Sequence, residues 1–212
     1  MKKIKKILLL SFTFIPVFAL ISCIRKQEIN QQKNENNSSA IKPQVELPNK
    51  SNSTLGTYQS IFVNSIIDGD TFFDNQGNKY RIHGIDTPEK TKNKNNSQIP
   101  TTGLQHQYAL KAKEFLASQI LNKQVKIIHI TNDAYSRKVV QVLSDNQNLS
   151  ILLVKQGLAK VAYISKEKRN KFYYKDSSFI DALYEAQQQA MSKRLNIWKE
   201  PNQISKIFPR RG

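Results

Sequence analysis

The stretch from Ile24 to about Gly56 confines everything that can fold to the residues after it. It is built of Asn, Gln, Lys and Ser with scattered Pro43 and Pro48 and carries no apolar periodicity. Such a segment cannot bury enough surface to offset the entropy lost on ordering. The remainder of the chain is roughly 140 residues, a normal size for one domain with one core. No internal repeat divides it.

Before this stretch, Met1 to Lys6 is basic and Ile7 to Ile21 is almost wholly apolar. About 15 apolar residues are too few for a membrane span, which needs about 20. A charged start and a small residue before the break read as an export signal. Cys23 is the only cysteine, so no intramolecular disulfide can form. Its place after Leu20-Ile21-Ser22 resembles the lipobox of bacterial lipoproteins. That resemblance implies cleavage before Cys23 and a lipid on its thiol; an uncleaved anchor or secretion with a free thiol are the alternatives. The expected organisation is a signal peptide over 1–22, a lipidated cysteine and disordered tether over 23–57, a folded domain over 58–200 and a basic tail over 201–212.

The formal charge is +17, and losing the four lysines of residues 1–22 leaves +13. A cationic surface attracts polyanions in a salt-dependent way. It attracts anionic lipid as well, so charge supports a nucleic-acid partner without selecting it. A Lys- and Asn-rich chain from a biased genome would show much of the same excess.

Within the domain, Ile61, Val63, Ile66 and Ile67 predict a strand over Tyr58 to Ile67. Thr71 to Phe73 and Lys79 to Ile85 flank Asp74-Asn75-Gln76-Gly77-Asn78, the signature of a hairpin. Val125 to Ile130 and Val139 to Leu143 read as two further strands. Helical spacing of apolar residues predicts helices over Thr101 to Leu121, Leu149 to Gly157 and Asp176 to Arg194. In the last of these, Ala182, Ala186 and Ala190 permit close packing. Strands first and helices interleaved fit an α+β fold around a partly open barrel.

Three runs carry the chemistry: Asp68-Gly69-Asp70-Thr71, then Arg81 through Asp86-Thr87-Pro88-Glu89, then Asp133-Ala134-Tyr135-Ser136-Arg137. Asp70 and Asp86 offer hard oxygen ligands for a divalent cation. Glu89, aimed by the turn Pro88 favours, is a candidate general base. Arg81 and Arg137 supply planar forks that match phosphate oxygens two at a time. Taken singly, Asp70 is an ordinary turn residue, Arg81 a strand-face charge and Glu89 a solvent-facing acid. Turn chemistry does not predict all of them in this order.

These residues resemble the staphylococcal nuclease (thermonuclease) family. The likeness runs over roughly residues 58 to 200, including Gln156-Gly157-Leu158-Ala159-Lys160-Val161-Ala162-Tyr163 and Leu195-Asn196-Ile197-Trp198. It implies a five-stranded OB-fold β-barrel with three α-helices, and calcium-dependent hydrolysis of DNA and RNA to products ending in 3′-phosphate. It assigns Asp70, Asp86 and the carbonyl of Thr87 to the metal, Arg81, Glu89 and Arg137 to catalysis, and Tyr135 and Tyr163 to the nucleotide pocket. The chain departs from the family pattern at Ala134, where a lysine is expected, at Ser136 for a glycine and at Ser165 for a tyrosine. Those positions bear on substrate affinity and base preference. The segment Lys90 to Gly103 is also differently built from the family loop.

The expected protein is therefore a nuclease on the extracellular face of the cell membrane, lipid-anchored at Cys23, acting on DNA and RNA with Ca2+. Nothing calls for an obligate protein partner, and a monomer is expected. A non-catalytic surface receptor for nucleic acid is the alternative, and a basic adhesin needs only the charge. His83, His106 and His129 share no ligand spacing and read as structural, His83 within a strand. Asp68 reads as an outer-shell residue at most. The Lys166 to Lys175 segment, with Phe172, Tyr173 and Tyr174, suits either single-strand contact or a solvated loop.

Overall fold

Asp74 shows how local chemistry sets the first hairpin. Its carboxylate accepts the backbone N–H groups of Gln76 at 2.9 Å and Asn78 at 2.8 Å, and the Tyr80 hydroxyl donates to it at 2.9 Å. Gly77 takes the left-handed φ of +80° that the turn requires. The computed structural model describes residues 57–209. Cys23, the signal peptide and all of the tether but Thr57 lie outside the described residues.

In chain order the strands are β1 (Gln59–Ile66), β2 (Thr71–Asp74), β3 (Lys79–Ile82), β4 (Ile85–Asp86), β5 (Thr91–Lys94) and β6 (Ser97–Pro100). Helix α1 (Gly103–Ile120) follows, then β7 (Gln124–Asn132), β8 (Lys138–Ser144) and β9 (Gln147–Asn148). Helix α2 (Leu149–Lys155), β10 (Lys160–Val161), α3 (Ser177–Ser192) and α4 (Ile204–Ile207) complete the domain.

The strands run in the order β3-β2-β1-β7-β8, and β8 closes on β3 by parallel pairing of Tyr80 to Ile82 with Lys138 to Val140. This is a closed five-stranded barrel with helices against it, the α+β OB-fold arrangement the sequence predicts. Val63, Phe72, Tyr80, Ile82, Val140 and Val142 fill the interior, and Ala112, Leu116 and Ile120 of α1 join the same core. Asn148 caps α2 by accepting from Ser150 and Ile151, and Asp176 caps α3 by accepting from Phe179.

Three details differ from the sequence reading. A fourth, single-turn helix, α4, lies inside the basic segment 201–212, because Ile207 buries against Tyr108 and Ile197 beside the partly buried Ile204 and Phe208. The Lys90 to Gly103 segment is a polar two-stranded hairpin, β5 with β6, turned by Asn95 and Asn96 at φ +50° and +61°. His83 lies not in a strand but in the two-residue turn between β3 and β4, beside Gly84 at φ +80°. That break lets the chain leave the barrel, and β4 pairs with β10 instead.

Candidate active site

The β1–β2 connection delivers Asp70 to the barrel mouth. Thr71 opposes Arg81 in the β2–β3 register, and the Ile82 N–H donates to the Asp70 carbonyl at 2.9 Å. This pairing fixes Asp70 and Arg81 on neighbouring backbone. Two residues past the His83–Gly84 turn, Asp86 returns to the same guanidinium.

Arg81 is forked between the two aspartates. Its Nη1 donates to Asp70 Oδ1 at 2.9 Å, and its Nη2 meets Asp86 Oδ1 at 3.4 Å and the Ile85 carbonyl at 3.2 Å. Asp70, Arg81 and Asp86 are all buried. Burial opposes the charge on Arg81, but Asp70 and Asp86 outweigh it and raise its pKa. The second Asp70 oxygen accepts the Thr87 N–H at 3.2 Å, and the second Asp86 oxygen faces Lys160 Nζ at 3.3 Å. Lys160 reaches Asp86 through the β4–β10 register, where the two are paired.

Glu89 is half-buried at the rim, and its carbonyl accepts the Thr101 hydroxyl at 2.8 Å. Asp68 is pushed up to about 7, by burial first and then by the charges of Asp70 and Glu89. Asp70 and Glu89 thus both lie close enough to repel the Asp68 carboxylate. Asp68 also accepts the Asp70 N–H at 3.2 Å, and so orients the loop.

Arg137 arrives from the β7–β8 turn. Its Nε donates to Asp133 Oδ2 at 2.7 Å, and its Nη1 lies 3.5 Å from the Thr71 hydroxyl next to Asp70. Asp133 also accepts the backbone N–H groups of Tyr135 and Arg137. Burial works against the Asp133 charge, but these donors outweigh it and lower its pKa. Ser136 closes the turn at φ +58°, the conformation a glycine adopts freely. The Tyr135 ring is 75% exposed, with Arg137 Cζ 5.4 Å from its centroid. Tyr163 follows β10, and Arg81 Cζ lies 5.3 Å from its centroid.

The structure thus brings Asp70, Arg81, Asp86 and Thr87 into direct contact, with Glu89, Arg137 and Tyr163 around them. Two partners had no role in the sequence reading. Asp133 was legible, because an aspartate four residues before an arginine across a turn is a common pairing. Lys160 stood in a motif of the resemblance with no role attached, since its partner is 74 positions away and only the β4–β10 pairing joins them.

For a cation, the donors fit a hard ion. Asp70 and Asp86 with the Thr87 main-chain oxygen are all-oxygen ligands, and no thiol or imidazole belongs to the cluster. Among the described residues no three His, Cys, Asp or Glu side chains converge in metal-holding geometry, so water and substrate would complete the shell.

Two buried aspartates sharing one arginine are not needed for stability, since a well-packed apolar filling is often at least as stable. The barrel and this corner together define an OB-fold nuclease, with nucleic acids as its substrates. Residues 79–200 match the family model described as staphylococcal nuclease homologue. The chain belongs to the staphylococcal nuclease family. It is 31% identical over 157 residues to the thermonuclease of Staphylococcus intermedius, spanning 72% of this chain and 83% of that protein. It is 30% identical over 153 residues to the thermonuclease of Staphylococcus hyicus, spanning 70% and 79%. An uncharacterised endonuclease of Haemophilus influenzae is 27% identical over 143 residues, 66% of each chain.

Proposed function

We propose that the protein is a calcium-dependent nuclease that hydrolyses DNA and RNA to 3′-phosphate-ended products while anchored through Cys23 to the extracellular face of the cell membrane. The observation that carries the enzymatic part is Arg81 forked between Asp70 and Asp86 in a buried corner with Glu89 beside it. A receptor that only captures nucleic acid needs exposed cations and rings, not a buried carboxylate–guanidinium corner.

Asp70, Asp86 and the Thr87 carbonyl would hold the calcium ion. When bound there, such an ion would polarise a phosphoryl oxygen and offset the charge that develops on it. Glu89 accepts the proton of the attacking water. Water oxygen bonds to phosphorus as the bond to the 5′ oxygen breaks, which leaves the phosphate on the 3′ side, and the departing 5′ oxygen takes a proton from solvent to become a hydroxyl. Arg81 and Arg137 bind the phosphoryl and leaving oxygens, where negative charge grows most in the transition state. Asp133 keeps Arg137 aimed, and Tyr163 and Tyr135 flank the nucleotide. The anchor rests on the Leu20-Ile21-Ser22-Cys23 pattern.

The test is cleavage of end-labelled single-stranded DNA and RNA with calcium, with magnesium and with chelator, together with identification of the new termini. Calcium-dependent cutting with 3′-phosphate ends is expected. Tight binding without cutting under every metal would make the protein a receptor. For the anchor, cells fed labelled palmitate should label the wild-type protein and leave Cys23→Ala unlabelled; an unlabelled wild type would contradict it.

A further inference from the structure

Phe172 and Tyr163 lie edge to face at the mouth of the site, their centroids 5.3 Å apart and their planes at 74°. Both rings are open to solvent, Tyr163 at 41% and Phe172 at 37%. Solvent exposure of two large rings is ordinary when each is isolated, but these are paired and fixed. Ser165 N–H donates to the Phe172 carbonyl at 2.9 Å, and Tyr174 N–H returns to Ser165 at 2.9 Å. Asn170 accepts the Phe172 N–H at 2.9 Å, and Tyr174, two residues on, is buried against His83. The core therefore anchors the segment through Tyr174 and leaves Phe172 beside Tyr163.

What surrounds the pair selects the ligand. Arg81 Cζ is 5.3 Å from the Tyr163 centroid, and Lys171 Nζ is 4.8 Å from that of Phe172. Two rings meeting at a steep angle form a corner that takes a flat group against one ring and along the other. Cations at both ends suit a flat group joined to phosphates. We propose that Phe172 completes a nucleobase subsite with Tyr163, in which the base next to the scissile phosphate stacks while Lys171 meets the neighbouring backbone phosphate. This rests on the placement of Arg81 at the scissile phosphate.

The experiment tracks the fluorescence of a single-stranded trinucleotide with central 2-aminopurine on rapid mixing with the full chain, read before any strand is cut. Phe172→Leu should weaken binding by about 5- to 100-fold and lose the quenching that stacking causes, whereas Phe172→Trp should keep both. A trinucleotide with an abasic central sugar, measured by competition, should bind wild type and Phe172→Leu alike. Equal affinity and equal quenching for wild type and Phe172→Leu would overturn the inference. Cleavage of the same trinucleotide by wild type reports separately on the nuclease reading. Should wild type bind and quench but never cut, the subsite stands and the catalytic assignment falls.

Discussion

Tyr163 carries a backbone φ of +54°, a conformation that costs a bulky side chain about 1–3 kcal/mol. Its ring is not in the core, so the surrounding structure imposes that strain in order to keep the ring over Arg81. Tyr163→Gly should leave unfolding free energy within about 1 kcal/mol of wild type, because relieved strain offsets the extra backbone entropy of glycine. The same variant should raise KM for single strands about tenfold. A stability loss well above that range in denaturant titration would show the ring to be a packing residue instead. His83 makes a second prediction. Burial holds its pKa down at about 4, against an ordinary value of 6.5, and among the described residues its Nε2 has no hydrogen-bond partner. The unfolded chain then binds the proton first as pH falls. The stability His83 contributes is complete above pH 6.5 and is lost as pH drops from there toward 4. Between about pH 7 and pH 5 wild type should lose about 2 kcal/mol more than His83→Phe in urea titrations. Parallel losses in the two proteins would contradict a buried neutral imidazole.

At the scale of elements, the site depends on how closely α1 approaches the β1–β2 loop. A methyl group on Gly69 would lie 2.5 Å from Ala112 Cβ and 2.9 Å from the Thr87 side chain. Gly69→Ala should therefore cost about 1–3 kcal/mol and lower kcat/KM at least tenfold, since the displaced loop carries Asp70 away from Thr87. Ala112→Gly should restore part of both in the double variant, and full activity in Gly69→Ala alone would show that the contact does not position Asp70. This tight contact was not legible in the sequence, where Asp-Gly-Asp reads as an ordinary turn. The Asp74–Asn78 hairpin was legible, because its turn residues stand between apolar strands. The β5–β6 hairpin was not, since both its faces are polar and only Asn95-Asn96 marks the turn. Helix α4 escaped for a related reason: one turn is too short for periodicity, and its reason to form is packing on the nearby Ile197 and on Tyr108, far off in sequence. Of the site, Asp70, Arg81, Asp86 and Glu89 were legible as an ordered set of residue types. The role of Lys160 was not, and Phe172 stood only in a stretch that suited a solvated loop equally, because each reaches the site through pairings that only the folded chain makes.

Across the whole molecule, a formal charge of +17, or +13 without residues 1–22, makes capture of a polyanion salt-dependent. With Arg81, Arg137 and Lys171 as three phosphate contacts, raising salt from about 50 to about 200 mM should weaken single-strand binding about ten- to twentyfold. A salt-independent affinity would place the binding elsewhere than on these cations. In the proposed mechanism, catalysis is decided at the corner of Asp70, Arg81 and Asp86, with Glu89 beside it. The most direct measurement is single-turnover cleavage of a labelled oligonucleotide by Glu89→Gln beside wild type, with affinity measured in parallel. Loss of a proton acceptor should slow cleavage about 10²- to 10⁴-fold while binding changes less than about threefold. Cleavage at the wild-type rate would remove Glu89 from the chemistry and contradict the proposed mechanism.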